Sequence, residues 1–509
     1  MTDAAARYAD WKAPSQDSQI LIWPESHELS SATGRNQKLF AQAADVRVQN
    51  IPLGELRKAA REFVHHNHAQ PLISSGHQTE LYHPGVWSKD VLACALAAKL
   101  DGAAYHFAVD TDAPKHLHLR WPGVSEVITD DDAIGSANSC LNLANPSPKH
   151  LHHLRERFEQ ASSSWNFQPT LSPFFDAMQS ALLGHDSLAW SVAHAIQQVD
   201  TELQLNYALI AMSPIWNSLP FLVLVHHWLA NAHSFALQYN KSLAAYRLGH
   251  SIRTHARPMP DLAVSSDRQS FEAPFWVDEL SNQSPYTGQR HRLLVERKGQ
   301  QWVFVATATR DEFAFDPFAN GWEAAEKLLK FLRKNLLMIS PRALTLTMYL
   351  RVFLSDLFIH GIGGGRYDQV TDQVIQKQLN IPAPEFAVTT ATMYFPAALE
   401  QHRVNLHPLV QEGRRIRHGM LSKEKRTMAQ TIHALPRKSR QRQEMFFQMH
   451  EYLSHQSRSP DVLGWENRLK EAEQLSHLQR PLFDRELFFA IQSKERLNQL
   501  IEKYRSAIG

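Results

Sequence analysis

The apolar positions of this chain change period along its length, and each change marks an element. Pro71-Leu72-Ile73-Ser74-Ser75 reads as a short buried strand, closed by Gly76. From Trp87 to Leu100 apolar residues recur at helical spacing, and Gly102 lies where helix ends favour glycine. Tyr105 to Val109 reads as a second strand, ending at Asp110-Thr111-Asp112. Strand, turn, helix and strand in this order make a βαβ unit, which requires parallel pairing and a right-handed crossover.

Elsewhere the pattern is mostly helical. Leu56, Ala59, Ala60 and Phe63 share one face of a helix over Leu53 to Val64. Residues 150 to 250 are dominated by helix, including Phe221 to Tyr246, and Trp322 to Leu337 and Leu344 to Ile359 continue the theme. Two stretches alternate instead. His116, His118 and Arg120 interleave with Leu117 and Leu119, and the region 286–310 holds a hairpin turning at Lys298-Gly299. Ser493 caps a last helix whose stripe is Leu497, Leu500, Ile501 and Tyr504. The pattern predicts an α/β protein. Residues 1–150 form the N-terminal half of a parallel-sheet core. Residues 151–410 continue it, mostly in helix, with the β insertion and a Gly-rich loop at 361–365. Residues 411–509 are a charged helical region.

Composition narrows the setting. The 509 residues are 43% hydrophobic with a formal net charge of +2, which selects neither nucleic acid nor membrane as a partner. Two cysteines, Cys94 and Cys140, fit a reducing, cytoplasmic location. The strongly apolar run Leu219 to Val225 is far short of the ~20 residues a membrane span needs. Between Glu412 and Glu444, ten Lys or Arg stand against three Glu, but without the interleaved aromatics of a base-stacking platform. A solvated helical hairpin accounts for this stretch better than nucleic-acid binding.

Three segments can carry chemistry. The first is Gly76-His77-Gln78 with Pro84-Gly85 and Lys89 following, placed after a strand and before a helix, where open α/β sheets bind ligands. Gly76 and Gly85 permit close backbone approach, the helix start offers N–H groups to an anion, and Lys89 adds charge. The alternative is a glycine-bearing loop with satisfied histidines. The second is Asp110-Thr111-Asp112. On a strand, alternate residues point the same way, so both carboxylates would face one ligand or cation; a solvated turn is the alternative. The third is His360-Gly361-Ile362-Gly363-Gly364-Gly365-Arg366, read as a glycine loop between helices. Its backbone suits phosphate, with Arg366 as a fork and Arg342 as a further anion contact, although it matches neither a Walker A nor a dinucleotide fingerprint. The alternative is a tight turn that needs glycine for shape. No tight Cys/His signature is present, so no metal site is assigned.

Over roughly residues 70 to 120 these motifs resemble those of the bacillithiol cysteine-adding family (the BshC-like cysteine ligases). Gly76-His77-Gln78, Pro84-Gly85, Lys89 and Asp110-Thr111-Asp112 follow the family's order and intervals. The family's Gly-Pro is Pro84-Gly85 here, and its histidine between acids is Thr111, so the chain reads as a divergent relative. The resemblance implies a Rossmann-like core and a C-terminal coiled coil that can make a homodimer. It also implies a nucleotide, ATP or ADP with Mg²⁺, and a ligase step joining cysteine to an amino-sugar conjugate.

The expected function is therefore a nucleotide-linked ligase or transferase acting on a small amine or amino acid. In it His77, Asp110 and Asp112 are catalytic. Gly76, Gln78, Gly85, Lys89, Gly363, Gly364, Gly365 and Arg366 bind the nucleotide or its anionic tail. The alternative is a non-catalytic ligand-binding or assembly protein that keeps the cleft.

Overall fold

The computed structural model describes residues 11–509 except 114, 133–138, 183, 185–186, 255–258, 281–288, 300, 307–311, 420–422 and 458–459. Residues 286–288, 300 and 307–310 of the expected β insertion thus lie outside the described residues. The chain divides into two units, Met1–Met393 with Arg485–Gly509, and Tyr394–Asp484.

The first unit is built on a six-stranded sheet of β1 (Gln19–Trp23), β2 (Leu72–Gln78), β3 (Ala103–Val109), β4 (Ala208–Ala211), β5 (Leu357–His360) and β6 (Phe386–Thr392), in the spatial order β1-β6-β5-β2-β3-β4. All neighbours pair in parallel except the edge strand β1, which runs antiparallel to β6. The chain moves outward from β2 through β3 to β4, then returns to the other side of β2 for β5 and β6. Strand order thus reverses between β2 and β5, the place where open parallel sheets bind ligands beyond their carboxyl ends.

Apolar strands need cover on both faces. Helix α1 (Pro84–Lys99) supplies part of it, with Trp87, Val91, Leu92 and Leu96 buried, and the helix Lys494–Ile508 packs on α1. Ser493 caps that last helix, and Leu497, Leu500, Ile501 and Tyr504 are all buried, as their spacing predicts. A second, antiparallel sheet runs Glu312–Phe315, Gln301–Ala306, Arg290–Lys298, Ser270–Glu279 and Leu337–Pro341. Lys298 pairs with Gln301 across the predicted turn, where Gly299 has φ +63°.

Two sequence expectations change here. Helix Ala343–Tyr349 and a following π turn end at Leu354, and Leu357–His360 is strand β5. The glycine segment is consequently not an interhelical loop. Gly361 follows β5 as the cap of helix α2 (Ile362–Gln378), and Gly363, Gly364 and Gly365 lie in the first turn of that helix. The second difference falls in Trp322 to Leu337, whose helix stops at Lys334; Leu336 takes φ +51° and Leu337 opens a strand.

The second unit holds helices His407–Gly419, Lys423–Ala434, Arg440–Ser457 and Pro460–Gln479. Trp465 Nε1 donates to the Leu409 carbonyl at 2.7 Å, and a Cβ on Gly413 would come within 2.2 Å of the Trp465 ring, so glycine lets these two helices meet. Among the described residues no helix is long and apolar enough to cross a membrane.

Candidate functional site

At the carboxyl ends of β2, β3, β5 and β6 lies a cavity of about 520 Å³. It collects residues from all three sequence segments: Gly76, His77, Gln78, Gly85 and Lys89; Asp112; and Gly363 and Gly364. His83, His360, Thr390 and Arg485 also line it, none of which was assigned a role from the sequence. His360 adjoins the glycine run, which is its one sequence signal. Thr390 and Arg485 have no local signal, because only the sheet and the return of the chain bring them there.

Helix α1 does not offer the open amino end expected of it. Pro84 has no N–H, His83 Nδ1 accepts from Gly85 N at 3.0 Å, and the His83 carbonyl accepts from Val86 N and Trp87 N. Helix α2 is different. Gly361 caps it without a side-chain hydrogen bond, so the N–H groups of Ile362, Gly363 and Gly364 have no intrahelical acceptor and carry the positive end of the dipole.

The cations on the lining are Lys89, Lys115 and Arg485, of which Lys89 is buried. Lys89 Nζ donates to the Gly76 carbonyl at 2.6 Å; burial pushes its ammonium down to about 8, against the pull of Asp90 and Glu80. Arg485 Nη2 donates to Thr390 Oγ1 at 3.3 Å and to the Ala391 carbonyl at 3.2 Å. Gly85 makes this arrangement fit, since a Cβ there would stand 2.6 Å from Thr390 Oγ1 and 2.7 Å from Arg485 Nη2. Gly85→Ala is therefore expected to destabilise the protein by about 1–3 kcal/mol through overpacking and to displace Arg485. A lowered Tm in thermal unfolding checks this, and an unchanged Tm would show that the guanidinium swings aside freely.

His77 is half-buried at the cavity wall, its Nδ1 3.2 Å from the Gln78 carbonyl and 3.6 Å from Glu80 Oε1. Burial, helped by the charge on Lys89, holds its imidazole well below the ordinary value, so it serves as a neutral ring at pH 7. Asp112 Oδ2 accepts from Gln78 Nε2 at 2.7 Å.

The acidic pair separates. Strand β3 ends at Val109, so the alternation that would align Asp110 with Asp112 stops before them. Asp110 is buried and accepts from Ser213 N at 3.0 Å and Ser213 Oγ at 2.5 Å; burial pushes its carboxyl up to about 6. It is not among the residues lining the cavity. Thr111 turns into the core, where its Oγ1 accepts from Trp216 Nε1 at 3.3 Å. Gly365 and Arg366 also lie outside the lining. A Cβ on Gly365 would strike Val388 and Trp11, and Arg366 donates to the Trp11 carbonyl. Arg342 pairs with Glu272 and stacks on Trp276.

No protein-family model matches this chain, and no curated protein matches it either. What the residues can do must come from the cavity itself. Side-chain-free N–H groups, a lysine and an arginine together suit a phosphate or carboxylate. Pro341, Ala343, Leu346 and Leu350, also on the lining, offer an apolar surface to the body of such a ligand. Among the described residues no group of three or more His, Cys, Asp or Glu is placed to hold a metal ion.

Proposed function

We propose that this protein is a nucleotide-linked ligase or transferase acting on a small amine or amino acid, with the cavity at the switch point of the parallel sheet as its active site. The observation that carries the reading is the convergence of the open end of α2, Lys89 and Arg485 on one cavity that also has an apolar wall. Phosphates sit at Gly361–Gly364, and the apolar wall takes the base. The resemblance to the bacillithiol cysteine ligases, with their Rossmann-like core, supports the same class, and the doubly wound strand order agrees with it.

The roles follow from placement. Lys89 and Arg485 neutralise charge that develops on a transferred phosphoryl group. His77, kept neutral by its burial, donates or accepts a hydrogen bond and is not a fixed cation. Asp112, held by Gln78 on the cavity lining, orients an amine. Mg²⁺ is commonly held by one or two carboxylates together with substrate phosphates, and Asp112 fits that minimal role. Asp110 acts through Ser213 and its own backbone, outside the ligand's reach.

Thermal unfolding with ADP or ATP, with and without Mg²⁺, tests the reading, because a ligand of the folded state raises Tm by mass action. Stabilisation is expected with ADP and Mg²⁺, reduced in Asp112→Asn and unchanged in Arg366→Gln, whose guanidinium points elsewhere. No shift with any nucleotide would sink the proposal.

A further inference from the structure

His360 has had no chemical role so far. It ends β5, is only 4% exposed, and lines the cavity. Its Nε2 lies 2.7 Å from Asp368 Oδ2. Asp368 stands on α2, also buried, and accepts from Arg351 Nη1 at 2.6 Å and, on its other oxygen, from Thr347 Oγ1 at 2.8 Å. Burial alone would raise this carboxyl, but the charges of His360 and Arg351 outweigh it and hold it well below the usual carboxylate range. An ionised carboxylate only accepts, so the hydrogen between the two groups belongs to Nε2, and whenever the ring is neutral its lone pair lies on Nδ1.

That lone pair is left open by a glycine. A Cβ at position 364 would stand 2.8 Å from His360 Nδ1. The rings of Phe358 and Phe386, with centroids 4.6 and 5.1 Å away, hold the imidazole edge-on. The other histidines at hand are committed elsewhere. His83 Nδ1 caps α1, His77 Nδ1 faces the Gln78 carbonyl, and His106 is bound to Asp90 away from the lining.

We infer that His360 is the general base of this site, taking through Nδ1 the proton of an amine nucleophile, with Asp368 as its positioning residue and Gly364 as the residue that keeps Nδ1 open. This rests on the ligase or transferase reading. In the step, the amine nitrogen bonds to the carbonyl carbon of a phosphate-activated acyl group and its N–H proton passes to Nδ1. The C–O bonding pair leaves with the phosphate, and the imidazolium then returns the proton to water. Charged groups near His360 are Asp368 and Asp372 on α2 and Arg351 behind them, with Lys89, Lys115, Arg485, Asp112 and Glu486 elsewhere on the cavity lining.

Diethyl pyrocarbonate acylates imidazole only through a free nitrogen lone pair, so the full-length protein is labelled and mapped by mass spectrometry. Labelling of His360 is expected, slowed by ADP with Mg²⁺, and lost in Gly364→Ala. That variant covers Nδ1 while replacing glycine by the better helix former, and its Tm is measured alongside. Two-bond ring-proton to nitrogen spectra give the tautomer directly: Nε2–H in the native protein, with Nδ1–H gaining in Asp368→Asn, whose amide can donate to Nε2. Stabilisation by ADP with an unlabelled His360, or labelling undiminished in a folded Gly364→Ala, overturns the base assignment and leaves the nucleotide reading standing. Labelling of His360 with neither protection nor stabilisation by ADP overturns the nucleotide reading, and the acyl-transfer role with it.

Discussion

Replacing Asp356 by alanine is expected to cost on the order of 3–5 kcal/mol of stability, because it strands two buried guanidiniums. Asp356 Oδ1 accepts from Arg57 Nη2 at 2.8 Å and from Arg61 Nη2 at 2.6 Å, and Oδ2 accepts from Leu72 N at 2.8 Å. All three side chains are buried, and burial pushes the Arg57 guanidinium down to about 9 even with its partner in place. The same carboxylate therefore joins the helix Leu53–Phe63 to the start of β2 and to the turn that leads into β5. Urea unfolding measures the effect as a lower midpoint at unchanged slope. Asp356→Asn, which keeps an acceptor oxygen, is expected to lose less. An unchanged midpoint in the alanine variant would mean that the arginine bonds to the Val352, Leu354 and Ser355 carbonyls suffice alone.

The second large effect depends on pH. Asp200 accepts from Trp87 Nε1 at 2.7 Å and Tyr207 OH at 2.6 Å, yet its burial, and next the charge of Asp90, push its carboxyl up to about 8. Between the unfolded value near 3.8 and the folded value near 8, the native protein holds a proton that the unfolded chain has released. Stability must then fall as pH rises through this window, by several kcal/mol, since each tenfold change in proton affinity is worth about 1.4 kcal/mol. Asp110, raised to about 6, adds a slope of the same sign below this range, while Lys89, lowered to about 8, opposes it near pH 8, so it is the comparison with Asp200→Asn from pH 7 to 8 that isolates Asp200. The buried histidines, lowered in the fold, act in the opposite sense only up to their unfolded range near pH ~6.5. From pH 7 to 8 the urea midpoint should fall in the native protein relative to Asp200→Asn. The same pH response in both proteins would show that the two donors keep Asp200 ionised.

The βαβ unit around β2, α1 and β3 was readable because its evidence is local, a switch of apolar period and glycines near the element ends. Edge strand β1 was not, since Gln19–Trp23 becomes a strand only by pairing with β6, distant in the chain. The stretch through Ile359 has helical spacing, but Asp356, held by Arg57 and Arg61 and by its own N–H to the Leu72 carbonyl, draws the backbone out of helix and into β5. Of the candidate site, Gly76, His77, Gln78, Gly85, Lys89 and Asp112 could be found by their place in the βαβ unit, and Gly363 and Gly364 only by the glycine run itself, whose preceding strand was read as helix. The outward turn of Asp110 could not, because it depends on where β3 stops, and Arg485 and the His360–Asp368 pair depend on tertiary contacts that leave no mark on neighbouring residues.

The discontinuity of the first unit sets an order of events on the ribosome. Residues 394–484 are contiguous, whereas the first unit is completed only by residues 485–509, which are synthesised after them. Until then α1 lacks the helix Lys494–Ile508 that covers it, Asp17 lacks Arg496, Thr389 lacks the Tyr504 hydroxyl, and the cavity lacks Arg485. A nascent chain paused within 394–484 would thus show an apolar face to chaperones and have no complete ligand site, so binding competence waits for residues 485–509.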